Sequence, residues 1–471
     1  MSTPLIWIVI PIGFAGVLAL LHNKPKLSSI LTCVFTLGLV VLALVFPKDL
    51  AFVLPDQRIE IPSSLVILNR TVQITGESLT MVALLYAITL LWNLGNSVFK
   101  VSTWFNALSL VITALWVTVL SVIPFLYAAL LIELIALLSV PLLSPRGKKT
   151  DLGLLRYIVF ETLALALILL TGWMLSGISA VPAASPLLVR ASIMLLFGFA
   201  LWIGAFPFHS WIPMISQSSA PWAVSFLLTI MQTALSVFLL TFLDQYAWLR
   251  NLPQVYTSLR WLGVIMITFS GLAATLQQNL ARHFGYLIIM ETGYSLLAIS
   301  LTPQGGLPYL AMLLLPRVLS YFLWGWALSG IRQLQPEASF EQGSLSGLFH
   351  SYPLLSASIL ISMLSLLGFP LLPLFPQKQM LWLLASRNAP ETIPFIIIGG
   401  LGMLVAILHL FSLFIRNAGN NISPTPQKET AKLVVPIILV LILMLTMAIA
   451  PQVILPSIME ILATFTHLFM P

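Results

Sequence analysis

Apolar runs of about twenty residues follow one another along nearly the whole chain, and that is the length a helix needs to cross the hydrocarbon core of a bilayer. Read between charges and turn residues, they fall at 4–21, 28–46, 79–97, 103–121, 125–143, 153–176, 187–206, 220–243, 258–276, 284–301, 307–330, 353–374, 392–415 and 433–455. Only 7% of residues are charged, where a soluble domain has about 25%. The sequence therefore predicts an all-α integral membrane protein with about 14 transmembrane helices, a single polytopic domain over 1–471. The first run lacks the basic start and cleavage site of a signal peptide, so it is expected to remain as a helix.

The longest stretch between runs, Lys48 to Thr75, alternates over Arg58–Val72 and predicts a short β-hairpin. Asn417 to Lys432 reads as a polar loop. Basic residues set the orientation. With the N-terminus outside, twelve fall on inner loops and helix ends: Lys24, Lys26, Lys100, Arg146, Lys148, Lys149, Arg156, Arg282, Arg332, Arg416, Lys428 and Lys432. Seven fall outside: Lys48, Arg58, Arg70, Arg190, Arg250, Arg260 and Arg387. The bias predicts both termini on the periplasmic or lumenal side of a bacterial plasma membrane or a thylakoid membrane.

The net charge of +7 is read as these inner basic residues, and no nucleic acid is expected as a partner. A single cysteine, Cys33, excludes disulfide frameworks, iron–sulfur clusters and thiolate zinc sites within the chain. No Walker loop, Rossmann glycine pattern or His/Cys cluster is present, so no cofactor is expected in this chain. In a redox assembly it would be at most a translocase subunit, with the redox work done elsewhere. The abundant Trp and Phe are expected at lipid-facing and interfacial positions.

One run is broken. Phe197 to Pro213, FGFALWIGAFPFHSWIP, carries Pro207, His209 and Pro213. Proline removes a helix hydrogen bond, and in hydrocarbon the freed carbonyl must find a partner or line a wet cavity. His209 stands on the break, as apt to cap freed backbone as to carry protons. A second break, Gly368-Phe369-Pro370, lies five helices later. The pair fits two inverted five-helix repeats, over 101–243 and 256–415, with helices 1–3 in 1–100 and a last helix in 433–471.

Charges in the runs form the candidate ion relay: Glu133, Glu161, Glu291 and Arg317, with Lys378 just past the second break. Each costs roughly 2.5–3.5 kcal/mol on insertion scales, so each is expected to face the bundle interior or a cavity and to find a partner. His409, near a helix end, reads as structural, and Arg416 as a snorkelling side chain.

FPFHSWIP, followed by Ser219-Ala220-Pro221, resembles the FPFHxWLP…AP signature of the antiporter-like subunits of respiratory complex I, its photosynthetic relative and the Mrp cation/proton antiporters. Glu133 in LIELIALLSVPLL resembles that family's fifth-helix glutamate. Leu345 to Lys378, through GFPLLPLFPQK, resembles GxPPLxGFxGK and puts Lys378 on the twelfth-helix lysine. The resemblance covers nearly the whole chain. It implies fourteen helices with breaks in the seventh and twelfth, membrane subunits as partners, and protons or Na⁺ as cargo. The departures fall at the centre. Trp202 stands where the seventh-helix lysine should, Gln232 and Thr233 where the eighth-helix lysine or histidine should, and Arg317 and Tyr321 in the eleventh helix where relatives carry histidine and lysine. Arg156 or Arg317 is then the candidate cation for Glu133. Two readings follow: a translocating subunit with a rewired relay, or a conduction-deficient subunit kept for assembly.

Overall fold

The computed structural model describes residues 2–469 except 55–56, 68, 100, 145–150, 176–185, 337–338, 417–427 and 454. Most of the expected loop Asn417–Lys432, and Lys100, Arg146, Lys148 and Lys149, lie outside the described residues. In order the helices are α1 (Ile10–Leu20, entered through a π turn at Leu5–Val9), α2 (Pro25–Val45), α3 (Leu79–Phe99), α4 (Phe105–Ser121), α5 (Ala128–Leu143), α6 (Leu152–Leu175), α7 (Pro186–Trp202), α8 (Trp211–Ser218) and α9 (Pro221–Gln245). After them come α10 (Ala247–Arg250), α11 (Pro253–Thr275), α12 (Leu280–Ser300), α13 (Leu307–Leu334), α14 (Leu348–Ser351), α15 (Pro353–Leu367), α16 (Phe375–Asn388), α17 (Ile393–Ile415) and α18 (Ala431–Ile449). Among the described residues nine helices are long and apolar enough to cross a membrane, and shorter apolar helices, Phe105–Ser121 among them, lie between them. Each expected apolar run is occupied by helix over most of its length.

The two broken runs differ from expectation in one respect. Helix ends at Trp202 and Leu367, short of 206 and 374, and resumes as α8 and α16, which the apolar runs did not include. Both stops have the same chemistry. Gly204 (φ +61°) and Gly368 (φ +84°) take the left-handed conformation that costs glycine nothing. The N–H of each bonds back three residues, to Leu201 and Ser365, and the next N–H bonds back five, to Ala200 and Leu364. These are two Schellman stops, each followed within three residues by a proline that bars continuation.

Four short strands lie between α2 and α3 and form two antiparallel hairpins, Ala51–Leu54 with Gln57–Glu60 and Ser64–Ile67 with Arg70–Gln73. The short hairpin expected within Arg58–Val72 is present as Ser64–Ile67 with Arg70–Gln73, but its first residues belong to another one: Val53 is the partner of Arg58, and Leu65 that of Val72. Pro62 lacks a ladder donor and separates the two, and Asn69 (φ +59°) turns the second. Both ends of the chain lie on this strand face: Thr3 bonds the carbonyl of Ile74 at 2.9 Å, and Glu460 pairs with Lys48 at 2.8 Å. The hydrogen bond from Lys48 holds the Glu460 carboxyl below its usual range. The pairing is therefore present at neutral pH and is lost as pH falls through that lowered value. Faster hydrogen exchange at residues 460–468 once the pH falls below the usual carboxylate range is the expected outcome, abolished in advance by Glu460→Gln.

The aromatic residues meet the lipid-facing expectation only in part, with Trp173, Phe197 and Phe411 exposed. Trp7, Trp92, Trp116, Trp202, Trp211, Trp222, Trp324 and Trp326 are all buried in the bundle rather than lipid-facing. Trp222 packs on Trp92, Phe322 and Trp326 at ring separations of 5.7, 5.4 and 5.4 Å, pinning α3, α9 and α13. Lipid offers no hydrophobic drive between helices, so filling of this kind and close backbone approach hold the bundle. The closest approach joins α11 to α17, where a Cβ on Gly271 would stand 1.8 Å from the Gly399 carbonyl oxygen.

Candidate functional site

The second break sets the site. In an unbroken helix the Leu366 carbonyl would accept from residue 370, which is proline and has no N–H. Lys378, in the first turn of α16, donates its Nζ to that carbonyl and to Glu291 Oε1. Glu291 comes from the middle of α12 and Arg317 from α13, one residue after Pro316. Arg317 Nε donates to Glu291 Oε2 at 2.5 Å, and its Nη1 to Ser295 Oγ at 2.5 Å. Glu291 and Lys378 are 0% exposed and Arg317 3%. The ammonium also lies 4.0 Å from the ring centre of Tyr294, a cation–π contact, and Trp382 donates to the Tyr294 hydroxyl at 3.2 Å. One carboxylate thus holds two cations on three helices, with Arg317 Nη2 buried and unpartnered.

A neutral bridge leads from this cluster toward the first half of the chain. Tyr321, one turn after Arg317, donates to Gln232 Oε1 at 2.6 Å, and Gln232 Nε2 donates to Thr292 at 3.1 Å, beside Glu291. Thr233 is buried next to Gln232. Gln232 also borders a cavity of about 20 Å³ with Trp202, Trp211 and Thr292, about the room one water occupies. Trp202 is buried against Phe199 and Phe238, at ring separations of 5.4 and 6.1 Å. Where the resemblance expects a charge, aromatic packing fills the space.

Beyond Trp202 lie the other two carboxylates. Glu161 is 1% exposed, and neither of its oxygens has a partner. Glu133 accepts from Thr162 at 2.8 Å through Oε1, while Oε2 is buried without a partner. Glu133 does not face the bundle centre as expected. It is half-buried in the seam of α5 and α6, between the exposed Leu130, Leu134 and Leu137. The expected cations are elsewhere: Arg156 is exposed and donates to Ser210 at 3.2 Å, and Arg317 is bound to Glu291. Among the described residues no ion pair reaches Glu133 or Glu161. His209 caps nothing: Nδ1 is buried without a partner, and the ring lies between Phe206 and Phe269. His409 is exposed on α17.

The structure therefore brings Glu291, Arg317 and Lys378 together, and places Glu133 and Glu161 apart from them. Sequence reasoning missed Ser295 and the Leu366 carbonyl as members. Ser295 was findable, since i+4 from Glu291 shares its helix face.

Such a bundle, two helices broken on matched Schellman stops with a lysine buried at the second break, defines an antiporter-like membrane subunit. Residues 157–406 match the family described as NADH:quinone oxidoreductase/Mrp antiporter, TM, and the chain belongs to that family. It is 30% identical over 238 residues to NADH-quinone oxidoreductase subunit N of Psychrobacter arcticus, a match covering 49% of this chain and 48% of that one. The chain spans about half the length of the curated relatives it matches. Solved structures share the fold over nearly full length. In the membrane-bound sulfane sulfur reductase, an archaeal respiratory membrane complex, a chain 16% identical superposes with TM-score 0.83 over 99% of this chain and 98% of that chain. In the Mrp complex of Dietzia sp. DQ12-45-1b one 15% identical gives 0.79 over 98% and 97%.

Proposed function

We propose that this chain is a proton-translocating subunit of a multisubunit membrane complex of the complex I or Mrp kind, and that the Glu291–Lys378–Arg317 cluster is its proton-handling centre. The observation that carries this reading is the placement of Lys378, wholly buried yet held by Glu291 and by the carbonyl that the break sets free. A lysine in a dry site changes protonation readily, whereas an arginine stays charged. A proton leaving Lys378 Nζ leaves a neutral amine and an Arg317–Glu291 pair. A proton returning to Nζ restores the triad. Arg317 keeps the carboxylate in place through both states, and the bridge through Tyr321 and Gln232 orients the groups without titrating. Glu133 and Glu161 are the acidic members at the far end of the relay, where protons or Na⁺ have carboxylate oxygens to meet.

The partners are then neighbouring membrane subunits and the lipid bilayer, with redox cofactors, if the assembly uses any, in other chains. The excess of basic residues in the loops that the sequence assigns to the inner side supports an orientation with both termini on the outer side. A second reading, a subunit that assembles but does not conduct, is favoured by one observation: the packing of Trp202 with Phe199 and Phe238 where a relay lysine would stand.

The test is Lys378→Ala in the native complex, with proton and Na⁺ flux measured in sealed vesicles and assembly followed on native gels. Flux is expected to fall at least tenfold with the complex intact. Unchanged flux in an intact complex would establish the scaffold reading instead.

A further inference from the structure

Outside the relay, α3 and α4 share a polar stripe. On α3 it runs Ser78, Val82, Leu85, Thr89, Asn93, Asn96, at helical spacings of three and four residues. On α4 it runs Asn106, Ser109, Thr113, Val117, Ser121 at the same spacing. The two stripes face each other. Thr89 and Thr113 hydroxyls are 2.5 Å apart, Ser109 donates to Asn93 Oδ1 at 3.1 Å, and Asn96 donates to Asn106 Oδ1 at 2.8 Å. Asn106 continues to the Ser28 hydroxyl at 3.3 Å, at the start of α2 on the face opposite the strands. All these side chains are buried.

At the strand face the same stripe opens into a vestibule of about 220 Å³, bordered by Ser78, Leu85, Val117, Ser121, Thr241 and Asp244. Ile461, Thr464 and Phe465 also border it, and Asp244 Oδ1 holds the chain just beyond them through the N–H groups of His467 and Leu468 at 2.9 and 3.1 Å. Below the vestibule floor, Thr89 lies one turn on from Leu85, and successive rungs are one turn apart, about 5–6 Å. Polar groups that serve only to join membrane helices satisfy one another. Here two atoms are left over: Asn93 Nδ2 and Asn96 Oδ1 are buried with no partner, one a donor and one an acceptor, on adjacent rungs. Water supplies both functions in one molecule.

We propose that the α3–α4 seam is a hydrated file, separate from the relay, in which bound water joins the strand-face vestibule to Ser28 on the opposite face. Its ligand is water, and between the Leu85–Val117 floor and Ser28 the hydrogen-bonded side chains of the seam are uncharged, so any proton that passes there moves along water and hydroxyl groups. The Leu85–Val117 floor is its narrow point.

The single cysteine makes the test direct. In the complex carrying Cys33→Ser, one cysteine is introduced at a time, as Ser121→Cys in the vestibule, Thr113→Cys and Ser109→Cys in the seam, or Leu134→Cys on the lipid face, and reacted with Ag⁺, which reaches thiols only through water. Thr113→Cys and Ser109→Cys are expected to react within about tenfold of Ser121→Cys, and at least a hundredfold faster than Leu134→Cys. Seam thiols as slow as the lipid-face control would overturn the proposal. The readout does not depend on flux, so this file and the Lys378 relay can fail independently.

Discussion

Glu291→Gln is expected to abolish ion flux and to lower the stability of the subunit more than any other single change in the relay. The substitution keeps the shape of the side chain and removes the one negative charge between Lys378 and Arg317. Two buried cations are then left facing each other without an anion. Removing one partner of a buried ion pair costs about 3–5 kcal/mol, because the desolvation of the survivor is no longer offset. Here two survivors share the loss. Lys378→Ala should be milder for stability, since Glu291 keeps Arg317 and Ser295 keeps its bond. The double variant Glu291→Gln with Lys378→Gln removes one of the stranded cations and should recover part of the stability but none of the transport. The measurements are the melting temperature of the extracted complex and flux in sealed vesicles. A Glu291→Gln complex as stable as the unsubstituted one would mean that the three charges are not coupled.

The second large effect lies in packing. Gly271→Val would place a Cβ 1.8 Å from the carbonyl oxygen of Gly399, where ordinary contact begins near 3.4 Å. Backbone cannot yield as a side-chain tip can, so α11 must move off α17 along the whole seam. Gly402 is involved as well, because its own Cβ would stand 2.7 Å from the Gly271 carbonyl carbon. A loss beyond about 4 kcal/mol is expected, a size reserved for a few mechanisms of which overpacking is one. The subunit should fail to accumulate, as judged by quantitative immunoblot. Gly13→Ala meets nothing within 4 Å and should change stability by less than about 0.5 kcal/mol.

Much of the fold was legible because hydrocarbon demands helices, and apolar length reveals them. The breaks were legible because Pro207 and Pro370 cannot sit quietly inside a helix. What followed each break was not: α8 and α16 include Ser216, Gln217, Gln377 and Lys378, too polar to read as continued spans. Lys378 could be placed at membrane depth from the sequence, and Glu291 and Arg317 could be named. Their mutual contact could not, since 26 and 87 residues separate Glu291 from its two partners, and nothing local fixes which helix faces meet. The error over Arg317 and Glu133 has the same origin. The error over the tryptophans has another: the membrane-interface rule describes rings that face lipid at helix ends, whereas Trp202, the last residue of α7, and Trp222, the second of α9, are buried in the bundle with Trp92, and Trp222 fills the space beside Gly95.

The charge count of the central cluster has an electrical consequence. Two cations around one carboxylate leave one positive charge in excess at that cluster, while among the described residues no cation pairs with Glu133 or Glu161. At an effective dielectric constant of about 20, a unit charge opposes a second one roughly 6 Å away by about 2.8 kcal/mol, or about a hundredfold in occupancy. A metal ion is therefore repelled from the α12–α16 cluster, where the two cations outnumber the one carboxylate.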